Sequence, residues 1–205
     1  MKNNFDAVIL ADGDFPTAKR PLKLLADASF LACCDGAIRQ LDQHGIEPNV
    51  IVGDCDSISL LLKEKYADRI YRIEEQDDND LTKTVRFLRQ QGMNSFAIIG
   101  ATGKREDHTI GNISLLLEYM RKGVNVKMFT DYGCFVPCCG NTEFACVPGQ
   151  QVSIFPFGAT EFSSEGLVYP LFNFTALWQG TLNECKSTSF SINANGDYLV
   201  FLNYE

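Results

Sequence analysis

The chain has 205 residues, 45% of them apolar and 21% charged, with a formal net charge of −8 at pH 7. That length buries a sizeable core, as one large domain or two small ones. The acidic balance excludes a non-specific nucleic-acid binder, which needs a basic footprint, and no apolar run reaches the ~18–20 residues that cross a bilayer as a helix. Met1 to Asp6 lacks a basic stretch followed by an apolar one, so no export signal is expected and a cytoplasmic location follows. Among the eight cysteines, Cys33-Cys34 and Cys138-Cys139 are adjacent pairs and no C-x-x-C zinc spacing occurs. Reduced, mostly buried thiols are the expectation.

Through the first ~130 residues short apolar runs alternate with helical patterns, the signature of βαβ units. Strands are expected at Phe5–Leu10, ending in Asp12-Gly13-Asp14, and at Phe30–Cys34, ending in Asp35-Gly36. Val50–Val52 ends in Gly53-Asp54-Cys55-Asp56-Ser57, and Arg69–Ile73 follows. Phe96–Ile99 ends in Gly100-Ala101-Thr102-Gly103, and Val124–Phe129 is the sixth run. Leu81, Val85 and Leu88 recur at helical spacing, as do Ile110, Ile113, Leu117 and Met120, each set forming one apolar stripe. Gly92 and Gly123 stand where helix C-caps belong, and His44 reads as an ordinary helix-end residue.

The character changes near residue 135. Phe144–Val147, Val152–Phe157, Leu167–Tyr169, Ser187–Ile192 and Tyr198–Leu202 are rich in β-branched and aromatic residues, and Asn195-Gly196 signals a hairpin. The expected architecture is an α/β domain with a mostly parallel sheet over residues 1–135, then an antiparallel, sandwich-like all-β domain over 136–205. The lone Trp178 is a candidate to stack on a ligand ring, although a lone Trp more often sits in the core.

Acidic or glycine-rich turns thus follow at least four strands, and in a parallel sheet they share one edge, where open α/β sheets bind ligands. Asp54 and Asp56 repel each other unless a cation sits between them, and Mg²⁺ is held by one or two carboxylates plus substrate phosphates. Gly, Asp and Ser also favour ordinary turns. Cys55, between two acids, is expected to have a raised thiol pKa and not to act as a nucleophile. Asp77 and Asp78 read first as helix caps. Asp80 and Lys83 share one helical face, either as a surface ion pair or as an acid for metal and a lysine for phosphate. After Gly100 to Gly103 come Lys104, Arg105, Glu106, Asp107 and His108. A glycine turn before a helix N-terminus brings backbone N–H groups to phosphate, though the spacing is neither a P-loop nor the dinucleotide fingerprint. Asp107 also reads as a helix cap and His108 as a buried polar contact.

In this order Asp35-Gly36, Gly53 to Ser57, Gln76 to Asp80 and Gly103 to His108 with Asn112 resemble the motifs of the thiamine pyrophosphokinase family. Tyr169-Pro170-Leu171 and Gly180-Thr181-Leu182-Asn183-Glu184 continue the likeness. Ala37, Cys55, Glu75, Asn79, Lys104 and Leu182 depart from the family pattern, and none of these removes a carboxylate or Arg105. The resemblance implies transfer of pyrophosphate from ATP to the hydroxyethyl group of thiamine. It implies Mg²⁺ on Asp54, Asp56 and Asp80, with Lys83 and Arg105 on the moving phosphates. Gln76 and Asp107 are expected to act on phosphate or the thiamine hydroxyl. Asp35, Gly36, Gly53, Ser57, Gly100, Thr102, Gly103, His108 and Asn112 would line the nucleotide site, and Leu182 and Asn183 would meet thiamine. A homodimer with sites at the subunit interface is implied too. The competing expectations are another Mg²⁺-dependent pyrophosphokinase or phosphohydrolase, and a nucleotide sensor without turnover.

Overall fold

A computed structural model describes residues 5–204; Met1 to Asn4, on which the export-signal expectation partly rests, lie outside it. The chain divides into two compact units, one holding residues up to 115 with 122–131, the other 116–121 with 132–205.

The first unit contains strands β1 (Ala7–Leu10), β2 (Leu31–Cys34), β3 (Val50–Gly53), β4 (Ile70–Arg72), β5 (Ser95–Ile99) and β6 (Asn125–Phe129). All pair in parallel, in the order β6-β5-β1-β2-β3-β4. Strands β1, β2 and β3 are wholly buried. That is why they read as continuous apolar runs: a parallel sheet covered on both faces has no polar side to alternate with.

Helices α1 (Lys19–Ala26), α2 (Ile38–Gln43), α3 (Leu60–Lys65), α4 (Asp80–Gln90) and α5 (Glu106–Arg121) connect the strands. In α4 the expected stripe holds, with Leu81, Val85 and Leu88 buried. In α5 it holds only in part: Leu117 is buried and Ile113 and Met120 are half-buried, while Ile110 is 70% exposed and Leu116 and Tyr119 are buried off the stripe. An apolar period says only that a face could be buried, not that anything covers its first turn. Helix α3 had no stripe to announce it, because it buries no residue at all. Gly92 and Gly123 have φ of +84° and +78°, the left-handed backbone of a C-cap position.

The second unit comprises β7 (Gly133–Cys139), β8 (Thr142–Ala145), β9 (Gln151–Pro156), β10 (Thr160–Glu165), β11 (Asn183–Glu184), β12 (Ser189–Asn195) and β13 (Asp197–Asn203). One antiparallel sheet runs β11-β9-β13-β7 and another β10-β12-β8. Val152, Ile154, Tyr198 and Val200 from the first meet Phe162, Phe190 and Ile192 from the second in one core. The Tyr198 hydroxyl is not orphaned there, lying 2.5 Å from Thr142 Oγ1 and 2.9 Å from the Gly140 carbonyl.

The Asn195-Gly196 hairpin is not formed. Its flanking strands β12 and β13 belong to different sheets, so the turn carries the chain from one layer to the other. Leu167–Tyr169 is likewise no strand; it makes a single bridge from Leu167 to Cys185. All eight cysteines are free thiols.

Candidate active site

Strand β1 lies between β2 and β5. The chain travels outward through β2, β3 and β4, then returns to the other side of β1 for β5 and β6. Strand order therefore reverses between β1 and β5, and such a switch point opens a crevice at the carboxyl ends of the strands. A cleft of about 450 Å³ lies there, lined by Asp12, Asp35, Asp54, Asp80, Lys83, Lys104 and Arg105 among others.

The turn after β3 is built around Asp35. Its carboxylate accepts the Cys55 N–H at 2.8 Å and the Ser57 hydroxyl at 3.1 Å. Cys55 holds a φ of +66°, which a residue with a side chain adopts only under local constraint. Gly53 leaves room for the carboxyl group, since a Cβ there would stand 2.7 Å from the Asp35 side chain. Burial, and then the charges of Asp80 and Asp54, push the Asp35 carboxyl above the ordinary range despite those two hydrogen bonds. Asp54 is held low by the Asp56 N–H at 3.0 Å and the Gln76 amide at 3.1 Å. Burial first, and the Asp35 charge second, raise the Cys55 thiol. Asp56 turns away from the cleft, with its carboxylate 76% exposed and 3.9 Å from Arg72.

Helix α4 supplies the next wall. Its cap is Asn79, which accepts the Thr82 N–H at 2.9 Å, rather than Asp77 or Asp78. Asp78 pairs instead with Arg86 at 2.7 Å. Asp80 and Lys83 do meet, at 3.3 Å, but the lysine side chain is only 2% exposed, so this is no surface pair. Lys83 also lowers the Asp54 carboxyl. A buried ammonium against Asp80 that also acts on Asp54 is the internal counter-charge of this cleft. Among the described residues no group of three or more acids, histidines or cysteines is arranged to hold a metal unaided.

The third wall is the loop after β5. Gly103 has a φ of +79°, and a Cβ there would stand 2.1 Å from the Asp14 carboxylate, so only glycine closes this turn. Lys104 is not free in solvent: its ammonium is 2.8 Å from Asp12. Arg105 binds Asp107 through two of its nitrogens, at 3.0 and 2.5 Å. Both side chains are exposed, the Asp107 carboxyl is drawn down to about 2, and Asp107 also accepts the His108 N–H. His108 is exposed rather than a buried contact. Asn112 reaches back to the Ala101 carbonyl at 2.9 Å and stands 3.4 Å from Asn79.

Of the residues singled out from sequence, Asp35, Asp54, Ser57, Gln76, Asp80, Lys83, Gly103, Arg105, His108 and Asn112 line this one cleft. Gly36, Gly53, Gly100 and Thr102 shape its backbone. Asp56 and Asp107 lie beside it. Asp12 and Lys104 belong to the lining, and their pairing was not anticipated. Its only sequence signal was an acid in the turn after β1.

In the second unit Asn183 is 6% exposed, and its amide is committed to the main chain. It accepts from Tyr169 N–H at 3.2 Å and Glu184 N–H at 2.8 Å, and donates to the Tyr169 carbonyl at 2.8 Å. The amide that the resemblance places against thiamine is therefore committed to the main chain. Leu182 beside it has a φ of +60° and is 69% exposed. Trp178 is 73% exposed, so it does not take the commoner core position.

An open parallel sheet with an acidic, glycine-edged cleft at its switch point defines an α/β protein with a ligand site at the carboxyl ends of its strands. The sequence model of the thiamin pyrophosphokinase catalytic domain matches residues 22–128, and that of the thiamin pyrophosphokinase substrate-binding domain matches residues 133–201. The chain belongs to the thiamin pyrophosphokinase family. It is 27% identical over 174 residues to thiamine pyrophosphokinase 1 of Oryza sativa subsp. japonica, a match covering 75% of the chain and 65% of the relative. It thus spans just under two thirds of that relative's length. Thiamine pyrophosphokinase of Bacillus subtilis is 28% identical over 149 residues, covering 67% of this chain and 68% of its own. In structure, the fold is similar to thiamin pyrophosphokinase from Candida albicans, with a TM-score of 0.80 at 18% identity over 98% of this chain and 90% of that one.

Proposed function

We propose that the chain transfers the pyrophosphoryl group of ATP to the hydroxyethyl oxygen of thiamine, giving thiamine diphosphate and AMP. The observation that carries this reading is the convergence of Asp35, Asp54, Asp80, Lys83 and Arg105 on one switch-point cleft, in a chain whose first half matches the family's catalytic domain. Transfer of this kind asks the protein mostly for positioning and charge neutralisation.

The donor set suits Mg²⁺, a hard ion that takes one or two carboxylates together with substrate phosphates and so needs no closed protein cage. Asp54 and Asp80, which line the cleft, would hold it, with Asp56 joining only by turning in from the same loop, and it would supply positive charge across the phosphates. Lys83, already buried against Asp80, holds an ammonium in the cleft without paying for a new desolvation. Arg105 presents a planar fork suited to phosphate oxygens. Asp107, with its carboxyl drawn to about 2, is a weak base; it orients the thiamine hydroxyl by accepting its hydrogen bond. Gln76, on Asp54, positions the same region. Asp35, Gly36, Gly53, Ser57, Gly100, Thr102, Gly103, His108 and Asn112 form the nucleotide side.

Residues 1–135 carry this chemistry in the present reading, and 136–205 serve thiamine binding and dimer formation. Tyr169, Phe172, Leu177, Trp178 and Leu182, all within one short stretch of that second region, are more than half exposed, and apolar side chains grouped into a patch mark interaction surfaces. That supports a homodimer in which Leu182 and its neighbours meet thiamine bound by the partner. No helix of the described residues is long and apolar enough to cross a membrane, which accords with a cytoplasmic enzyme. Incubation with ATP, Mg²⁺ and thiamine, followed by mass identification, should give thiamine diphosphate and AMP in equal amounts. ADP or inorganic phosphate as the main product would replace this reading with a kinase or phosphohydrolase.

A further inference from the structure

The ion pair between Lys104 and Asp12 sits at the switch point itself. Asp12 follows β1 and Lys104 follows β5, and both side chains line the cleft. The two loops are otherwise joined by main chain: Gly13 N–H donates to the Gly100 carbonyl at 2.6 Å and Asp14 N–H to the Thr102 carbonyl at 2.8 Å. The frame therefore does not depend on the ion pair, which adds a side-chain link between two loops already joined through their main chains.

Lys104 holds a φ of +56°. A residue with a side chain pays for that conformation, where glycine would not. The return on it here is a single 2.8 Å contact between side chains 43% and 38% exposed, and exposed pairs of this kind contribute little to stability. Asp12, for its part, does not need Lys104. The same carboxylate oxygen lies 3.3 Å from the Gln40 amide, and its other oxygen 3.9 Å from Arg39. The lysine can leave without stranding a charge. Of the basic side chains on this cleft, Lys83 is buried against Asp80 and Arg105 is doubly bonded to Asp107. Five carboxylates, those of Asp12, Asp35, Asp54, Asp78 and Asp80, share the lining with them. Lys104 is the cation there that can be redeployed at least cost.

We propose that Lys104 is a nucleotide-polyphosphate ligand held in reserve by Asp12, its ammonium passing from the carboxylate to the phosphates when nucleotide enters the switch-point cleft. This rests on the reading of the cleft as an ATP site. An exposed carboxylate offers one charge shared with Gln40 and Arg39, whereas a polyphosphate offers several oxygens and more charge, so the exchange runs toward the ligand.

The test is calorimetric titration of ATP and of AMP, with Mg²⁺ present and thiamine absent, into the wild-type protein and the variants Lys104→Gly, Lys104→Gln and Asp12→Asn. Glycine suits the +56° backbone, so the first variant should fold, and glutamine keeps the length of the arm without its charge. We expect both Lys104 variants to raise the ATP Kd about tenfold, a loss of ~1.4 kcal/mol, and to change the AMP Kd far less. Asp12→Asn should bind ATP as tightly as the wild type or more tightly. Equal losses for ATP and AMP, an unchanged ATP Kd in Lys104→Gly, or a loss in Asp12→Asn matching that of Lys104→Gly would each overturn the exchange. A wild type that binds no ATP would remove both the inference and the reading beneath it. A wild type that binds ATP and makes thiamine diphosphate alongside an unaffected Lys104→Gly would remove the inference alone.

Discussion

Asp35 and Asn183 are both buried polar side chains beside a strand end, 3% and 6% exposed, one in each unit. Asn183 is balanced. Its amide oxygen accepts two N–H groups and its nitrogen feeds one carbonyl, so it locks the Tyr169 segment to β11. Asp35 is not balanced. It takes two hydrogen bonds, yet burial and the neighbouring acids still lift its carboxyl above the ordinary range. The difference separates scaffold from site. A buried group whose needs are met inside the protein stabilises the fold, and one whose needs are only partly met marks where a ligand or cation completes the account.

The comparison breaks most visibly at the acids. In Asp54→Asn the charge goes while the shape remains, and the Gln76 amide can turn so that its oxygen accepts where its nitrogen now donates. We expect turnover to fall about a thousandfold or more, with Tm unchanged within a few degrees. Steady-state assays beside thermal melts would check this, and near-normal turnover would remove Asp54 from the proposed cation site. Arg105→Ala comes next, with a loss of about a hundredfold in kcat/KM. Its partner Asp107 is exposed, so little stability should be lost with it.

Asn183→Ala sharpens the other side of the contrast. It leaves two N–H groups and a carbonyl without their partner, at about 1–3 kcal/mol in total stability. For a chain of this size that is a Tm lower by roughly 2–10 °C. Because the anchored segment includes Tyr169 and adjoins Leu182, the thiamine KM should rise about tenfold while the ATP KM stays nearly constant. A higher ATP KM instead would place the second unit at the nucleotide.

The strand ends were legible because a buried parallel strand writes itself as a short apolar run, and the turn after it as Asp or Gly. That pattern alone located Asp35, Asp54 and Gly103 on one edge. Other features left no local trace. Helix α3 buries nothing, so it has no stripe. The Asn195-Gly196 dipeptide has hairpin chemistry, but β12 and β13 pair with strands far away in sequence, and long-range pairing outranks a local turn preference. Asn183 sits in a motif that resembles a thiamine contact, and only its register beside Tyr169 reveals where its amide is spent. Lys104 and Asp12 are 92 residues apart, and their meeting depends on a left-handed residue that no periodicity announces.

Asp131 provides the finest test, because it is a charged group in the same unit as Asp35 that is nonetheless balanced like Asn183. It follows β6 and accepts the Thr17 N–H at 2.9 Å, the Thr17 hydroxyl at 2.5 Å and the Ala18 N–H at 3.0 Å, fastening the chain as it enters α1. Burial pushes its carboxyl up, and these hydrogen bonds more than offset that, so it titrates below the ordinary range. A carboxyl depressed in the folded state stabilises above its unfolded value of about 3.9 and loses that contribution as pH falls through the folded value. Asp131→Asn keeps one acceptor oxygen and removes the charge. We expect a cost of about 1 kcal/mol, seen as a Tm lower by roughly 2–4 °C, with turnover unchanged. The gap between wild type and variant should be constant between about pH 5 and 8 and should narrow below about pH 4. A gap that widened in acid, or a loss of turnover without a loss of Tm, would move Asp131 from the balanced class to that of Asp35.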